Sequence, residues 1–403
     1  MSSNKQDLKN SRRTIKELLK SKSPKRLVGS LVLFALAAFA FLMVIYWANQ
    51  DKPTYTITES TGTEYETAKV LSVVEDNTII DEETEGVKKG SMDIKIQLLS
   101  GRYKGDICYI TNYFSALYNV DVTEGDTVSV RIDTTDVGVY SVSVYNYNRV
   151  PLIIGLVLLF FLALAVIGGK QGMKAFLGLV YTVICIVFIL LPLTLKGFSP
   201  VAVTCVLIFL TSLVCFFLIG GVQVKTVSAA IGSLCGTLIA ALLGHVAAQI
   251  GGVTTFQMEE AEALLLVKST FELNMSGLLT SGILIAALGA VMDISMSIAS
   301  ALDELYALDS TLSVKALFAS GMNIGRDAMG TMANTLVLAY VGSSLNMMIL
   351  IYSYGVSFNQ LMNTDFVAIE MIRAVAGSIG IICTVPCVAI ITAFALVHAK
   401  KSL

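Results

Sequence analysis

Long apolar runs, separated by short polar stretches, occupy most of this chain. Each run is about twenty residues long, which is the length that a helix needs to cross the hydrocarbon core of a bilayer. The pattern therefore predicts an all-α polytopic membrane bundle. We place about eight transmembrane helices, at residues 27–48, 151–168, 174–194, 200–219, 226–250, 276–298, 331–352 and 370–397.

Residues 49–150 follow a different pattern. Apolar and polar residues alternate along 93–99 and 127–133, as they do along half-buried β-strands. We therefore expect a small β-barrel or β-sandwich, of OB or SH3-like type, inserted after the first membrane helix. This domain either binds a ligand or partner, or serves only as a spacer or lid.

The predicted organisation has four parts. A basic tail precedes the first membrane helix, the β-rich domain follows it, and a seven-helix membrane domain completes the chain. These parts span residues 1–26, 27–48, 49–150 and 151–403.

Composition and charge place these parts relative to the cell membrane. Hydrophobic residues make up 55% of the chain, and the mean hydropathy is +0.74, so the lipid bilayer is the expected main partner. Basic segments stay on the cytoplasmic side, and residues 1–26 are strongly basic. We therefore expect cytoplasmic N- and C-termini, an extracellular 49–150 domain and a cytoplasmic connection at 299–330. A topology signal explains the basic tail better than a nucleic-acid-binding arm, so we expect no nucleic acid partner.

Two polar stripes interrupt the apolar helices, and each falls on one helical face. Charged groups in hydrocarbon are costly and normally face a bundle interior or a water path. The stripes are therefore the candidate functional site. The first stripe consists of Asp293, Ser297, Ser300 and Glu304. The second stripe consists of Asn323, Asp327, Thr331 and Asn334, with Thr335 beside it.

Asp293 is the candidate proton-coupling residue. It lies between Met292 and Ile294 in the sixth predicted span, where an aspartate costs about 3 kcal/mol on insertion scales. Loss of water favours the neutral, protonated form of a carboxylate. A structural carboxylate that binds a neighbouring helix is the alternative. The path-lining candidates are Ser297, Asn323, Asp327, Thr331, Asn334 and Thr335.

A ridge of small residues marks the fifth predicted span, and the sixth span continues it. Small side chains let helix backbones approach closely in lipid, so we expect the two spans to pack through this ridge. A smooth surface of this kind would also permit sliding. The helix-packing candidates are Ser228, Gly232, Gly236, Ala240 and Gly244 in the fifth span, and Gly282 and Ala286 in the sixth.

Four residues are secondary candidates. His245, near the outer end of the fifth span, could relay protons or form only a local hydrogen bond. Arg326 either lines a path or marks the membrane edge. Glu370 and Arg373, three residues apart, are expected to form a helical ion pair.

Enzyme signatures are missing from the sequence. It contains no HExxH motif and no P-loop lysine motif, and it has only two histidines. We therefore expect a protein that is not an enzyme, with no catalytic residue, no metal ligand and no cofactor.

Two sequence blocks resemble the YibE/F family of bacterial membrane proteins. They are ALGAVMDISMSIASALDEL at 287–305 and GMNIGRDAMGTMANTLVLAYVGSSL at 321–345. The resemblance implies a multi-pass membrane protein of a Gram-positive-type bacterium and names no substrate. The order of a span, an outer domain and a helix with an intramembrane Asp also resembles one half of SecD/SecF and RND-type proteins. That likeness would give Asp293 a role in proton-driven motion.

Two functional hypotheses follow. The first is a secondary transporter or proton-coupled membrane machine of unknown substrate. The second is a non-transporting assembly, sensing or partner-binding protein that uses the extracellular β domain. Either protein could act with a membrane-protein partner or as an oligomer.

Overall fold

A computed structural model describes residues 39–50, 62–82, 86–115, 118–134, 139–221, 223–258 and 260–399. The predicted basic tail and most of the first predicted span lie outside these residues. The chain divides into two compact units. One unit is Thr54–Met173, and the other joins Met1–Pro53 to Lys174–Leu403.

The first unit is built on a five-stranded antiparallel sheet in the order β3-β2-β1-β4-β5. Alternating apolar residues place one side of each strand in a common core, which includes Val70, Ile94, Ile96, Val130 and Ile132. The strands are β1 (Thr63–Asp81), β2 (Val87–Leu98), β3 (Ile107–Phe114), β4 (Thr127–Thr134) and β5 (Tyr140–Tyr147).

The long strand β1 curls this sheet into a half-barrel. Its first part pairs with β4 and its second part with β2, and two register shifts between Val70 and Glu75 bend it. The edge of β5 closes on the β2–β3 turn, where the Tyr140 hydroxyl donates to Asp106 at 2.7 Å. The predicted β-rich domain is thus present as a five-stranded half-barrel, and its assignment to the OB type stays a prediction.

The helices carry the apolar runs of the sequence. Among the described residues, five helical stretches are long and apolar enough to cross a membrane, or six if α8 and α9 count as one broken span. The shorter helix α1 covers Phe39–Asn49. The others are α2 (Val150–Cys185), α3 (Leu191–Leu195), α4 (Pro200–Gly220), α5 (Val224–Ile250), α6 (Ala261–Thr270), α7 (Leu278–Leu308), α8 (Val314–Ser343), α9 (Leu345–Ser353), α10 (Phe358–Met362) and α11 (Asp365–Ala399).

The stretch Val150–Leu195 holds two of the predicted spans. It has 46 residues, and at 1.5 Å per residue it is about twice as long as one crossing requires. Gly169, with φ 53° and ψ −133°, interrupts the helix between the two predicted spans. The total of eight spans stays a prediction.

The helix bounds near the stripes differ from the predicted span bounds. The connection between the two helices covers residues 309–313 and is shorter than the expected 299–330, because α7 continues to Leu308 and α8 begins at Val314. Ser313 accepts a hydrogen bond from the Ala316 amide and so starts α8 early. The expected span 331–352 is bent by 58° between α8 and α9.

The second unit has its main core among α5, α7, α8 and α11. The small-residue ridge of α5 is buried against α11. A Cβ built on Gly236 would lie 2.8 Å from the Thr384 Cβ, and one built on Gly232 would lie 3.0 Å from the Val388 Cα. The ridge thus serves a close approach of two backbones.

Helices α5 and α7 also contact each other, but the expected contact at Gly282 and Ala286 is not formed. Ala286 is exposed, and no described heavy atom lies within 4 Å of a Cβ built on Gly282. The α7 side chain that meets Gly244 is Ile283. The larger side chains of α7 fill the core, where they make more van der Waals contacts than glycine or alanine could make.

Candidate functional site in the membrane helices

The first stripe lies on the side of α7 that faces away from the core. Val291, Ile294 and Ile298 are fully buried, whereas Asp293 and Ser297 are exposed. At about 100° per residue, Asp293 is rotated about 200° from Val291. The carboxylate therefore stands opposite the face that packs the bundle.

The second stripe has the same relation to its own helix. Leu317, Gly321 and Gly325 are the buried residues of α8, and they lie four residues apart. The polar residues of this helix occupy the exposed side. They are Asn323, Arg326, Asp327, Thr331, Asn334 and Thr335.

Asp293 and the middle of α8 lie at the depth of the apolar helix centres. Asp293 is the midpoint of α7, fifteen residues from Leu278 and from Leu308. A Cβ built on Gly325 would lie 3.1 Å from the Val385 Cβ, and Val385 is fully buried in the middle part of α11. The residues around Gly325 thus run beside the interior of a spanning helix rather than beyond its end.

An ion pair supplies a second measure of depth. Lys225, at the start of α5, approaches Asp303 of α7 to 2.9 Å. Asp293 precedes Asp303 by ten residues in α7, and this separation is about 15 Å along the helix at 1.5 Å per residue. Asp293 therefore lies level with the middle of α5, a helix of 27 residues.

The hairpin between the two helices is fixed by Asp309. Its carboxylate accepts hydrogen bonds from the Thr311 hydroxyl at 2.6 Å and the Thr311 amide at 2.9 Å. These bonds favour the charged form and lower the pKa of Asp309. This turn joins α7 and α8, the two helices that carry the stripes.

The polar side chains of the stripes differ in their hydrogen bonding. The Thr331 and Thr335 hydroxyls donate to backbone carbonyls of their own helix. The Asn323 amide oxygen accepts a long bond of 3.4 Å from Arg326. A separate set has no side-chain hydrogen bond or ion pair within the described part of the chain: Asp293, Ser297, Asp327 and Asn334.

His245 lies in a different place, at one end of α5. Its ring contacts the Gln249 amide nitrogen at 2.9 Å. Both residues line a cavity of about 660 Å³ that also contains Lys268 and Glu272. The i, i+4 spacing of His245 and Gln249 was visible in the sequence, but the cavity depends on residues far apart in the chain.

Glu370 and Arg373 contact each other in α11. The Arg373 guanidinium donates to the Glu370 carboxylate at 2.7 Å. Both side chains line a small cavity of about 110 Å³ together with Gln257 and Glu260. Glu370 and Arg373 therefore form a local ion pair within α11, and neither residue belongs to the two stripes.

Sequence reasoning missed two contacts that hold the site. Thr384 is fully buried and receives the ridge of α5, although nothing in its local pattern distinguishes it from other threonines. The pair Lys225–Asp303 joins residues 78 positions apart. The sequence predicted that α5 and α7 pack together but not which of their residues meet.

Comparison with known proteins gives one match. The profile of a family described as YibE/F-like protein matches residues 156–398, which is more than half of the chain. The match begins after β5 and includes both stripes. No curated protein and no solved structure matches the chain.

Proposed function

We propose that this chain, which belongs to the YibE/F-like family, is a secondary transporter or proton-coupled membrane machine. One observation carries the proposal: Asp293 stands unpaired among the described residues, at the midpoint of an apolar helix and on its exposed face. An aspartate at that depth costs about 2.5–3.5 kcal/mol unless it is neutralised or hydrated. Such a cost is typical of residues on ion pathways.

The proposed cycle uses one proton on one carboxylate. When Asp293 is ionised, its face of α7 requires water or a polar neighbour. When a proton binds to the carboxylate oxygen, the charge is lost and the same face tolerates apolar surroundings. The exchange between these two states would couple proton movement to a change in the packing of α7.

The second stripe would extend the polar surface along α8. Asp327 supplies a carboxylate at comparable depth on the neighbouring helix of the hairpin, and Asn323 and Asn334 supply amides on either side of it along α8. The bias of lysine and arginine supports a cytoplasmic location for the hairpin at 309–313 and for the start of α5. Protons entering from that side would meet the two stripes about midway through the membrane.

Asp293→Asn is expected to abolish coupled proton movement, because the amide keeps the size of the side chain and cannot take up a proton. The full chain would be reconstituted in liposomes that contain the pH dye pyranine, under a potassium diffusion potential. Amino acids, divalent cations and lipophilic cations would be added in turn to elicit proton movement. The dye signal reports the proton flux for each added solute.

Glu262→Gln is the matched control, since it removes one carboxylate from an exposed position on the short helix α6. This variant should retain wild-type proton movement. Equal flux in the wild type and in Asp293→Asn, or a wild type that moves no proton with any of these solutes, would contradict the transport proposal.

The β unit supports a second candidate function, in partner or ligand binding. Tyr109 and Tyr113 on β3 are 70% and 74% exposed, and the Lys95 ammonium lies 5.3 Å from the Tyr109 ring centroid. Exposed tyrosines combine apolar area with a hydrogen-bonding tip and are common at binding surfaces. An OB-type barrel commonly binds its ligands on the β2–β3 face.

Deletion of residues 55–148 distinguishes the two candidates. Under the transport proposal, the shortened chain should retain most of the proton flux in the same liposome assay, because both stripes remain. Complete loss of flux in a chain that still inserts and is still monodisperse in detergent would favour the β unit as the functional part.

A further inference from the structure

The stripes lack a neighbour that could satisfy them. Asp293, Asp327 and Asn334 lie at the depth of apolar helix centres, on the side away from the core, and have no side-chain partner among the described residues. Lipid tails offer neither donors nor acceptors, and unsatisfied polar groups in hydrocarbon cost several kcal/mol each. In the membrane, this face therefore needs water or a polar surface against it.

The remaining apolar segments of the chain cannot provide that surface. Residues 152–167 contain no polar side chain, and residues 27–45 contain only Ser30. Neither segment could pair two carboxylates and an amide. The stripes themselves, by contrast, contain both hydrogen-bond donors and acceptors at that depth.

The same side of α7 is also shaped for close approach. Ala286 is exposed, and a Cβ added to Gly282 or Gly289 would meet no described atom within 4 Å. Gly282 and Ala286 are spaced four residues apart, which is the small-xxx-small pattern that brings two membrane helices together. This small-residue surface is on the same outward side of α7 as Asp293 and is not used by α5.

We propose that the outward faces of α7 and α8 form the contact with a second copy of this chain. A two-fold axis would place each face against an identical one. Asparagine and threonine side chains can both donate and accept, so such a face is complementary to itself. Arg326, which is exposed on α8, supplies a positive charge opposite the carboxylates of the second copy.

The inference deepens the proposed transport function and rests on it in one respect: the second copy would close the polar path that one copy leaves open. The contact itself is a separate claim. It concerns which surface meets which, and it can be measured without any flux assay.

Disulfide formation between copies tests the contact directly. Ser297→Cys places a thiol on the outward face of α7, and Ser295→Cys places one two residues away on the buried face, where Ser295 donates to the Val291 carbonyl. After mild oxidation of native membranes, Ser297→Cys should give a band of twice the chain mass. Ser295→Cys and the wild type, with its seven native cysteines, should stay at the mass of one chain.

Subunit counting provides the second measurement. Full-length chains labelled with one dye each, in dilute liposomes, should bleach in two steps for the wild type. Gly282→Leu should bleach in one step, because the larger side chain blocks close approach while meeting no described neighbour in its own copy.

Three results would overturn the inference: one-step bleaching of the wild type, equal cross-linking of both cysteine variants, or a cross-linked band whose mass shows a different protein. Two-step bleaching without proton flux would instead leave the contact standing and contradict the transport function. Proton flux from a species that bleaches in one step would contradict the contact and leave the transport function standing.

Discussion

Gly236→Ala should strongly destabilise the membrane unit. The added Cβ would lie 2.8 Å from the Thr384 Cβ and 3.1 Å from the Thr384 Cα, so relief requires movement of the α11 backbone. Thr384 cannot turn aside freely, because it is fully buried and its hydroxyl donates to the Gly380 carbonyl at 2.7 Å. Overpacking of this kind costs about 1–3 kcal/mol and can exceed that range when backbone is involved.

The measurement is the free energy of unfolding of the purified chain in mixed micelles, titrated with a denaturing detergent. Gly155→Ala is the matched control, since it makes the same chemical change at a helical glycine of α2 with no described atom within 4 Å of the new Cβ. That control should be neutral or stabilising by up to about 1 kcal/mol, because alanine favours helix. Equal effects of the two variants would contradict the close approach of α5 and α11.

Gly325→Ala should detach α8 from α11. The new Cβ would lie 3.1 Å from both the Val385 Cβ and one of its methyl carbons, and closer still to the other methyl. Val385 is fully buried, so the strain must be relieved by separating the helices, at a cost of about 1–3 kcal/mol. Because this contact fixes the orientation of α8, the same change should also disturb the position of Asp327.

A second substitution makes this prediction specific. Val385→Ala removes the methyl groups that meet the new Cβ, so the double variant should be more stable than the sum of the two single changes predicts. Gly330→Ala, where no described atom lies within 4 Å of the Cβ, should leave stability nearly unchanged. Protease digestion of the hairpin at 309–313 and detergent titration would measure the effects, and strict additivity would contradict direct contact.

The small-residue ridge shows which features of helix packing a sequence pattern can predict and which it cannot. Spacing at four residues correctly placed Gly232 and Gly236 on one buried face of α5. It could not identify the partner, because several spans have a side that would accept a smooth surface. The structure selects α11, where Val388 and Thr384 lie against the ridge.

The stripes show a different limit. Helical spacing predicted that Asp293 and Ser297 share a face, and the structure places both on the exposed side of α7. The rule that intramembrane charges face the interior of a bundle led to an expected buried path. The described residues do not provide that interior on the outward side, so the roles of the stripe residues stay predictions.

Local patterns determined the class of each segment. Apolar runs of about twenty residues and alternation within 49–150 depend only on neighbours along the chain, and they separated membrane helices from β-strands. Tertiary structure decided what the sequence left open: the partner of α5, the outward direction of both stripes and the short hairpin that joins them. These features depend on how closely the helix backbones can approach and on which side chains interlock, and that choice involves residues that are distant in sequence.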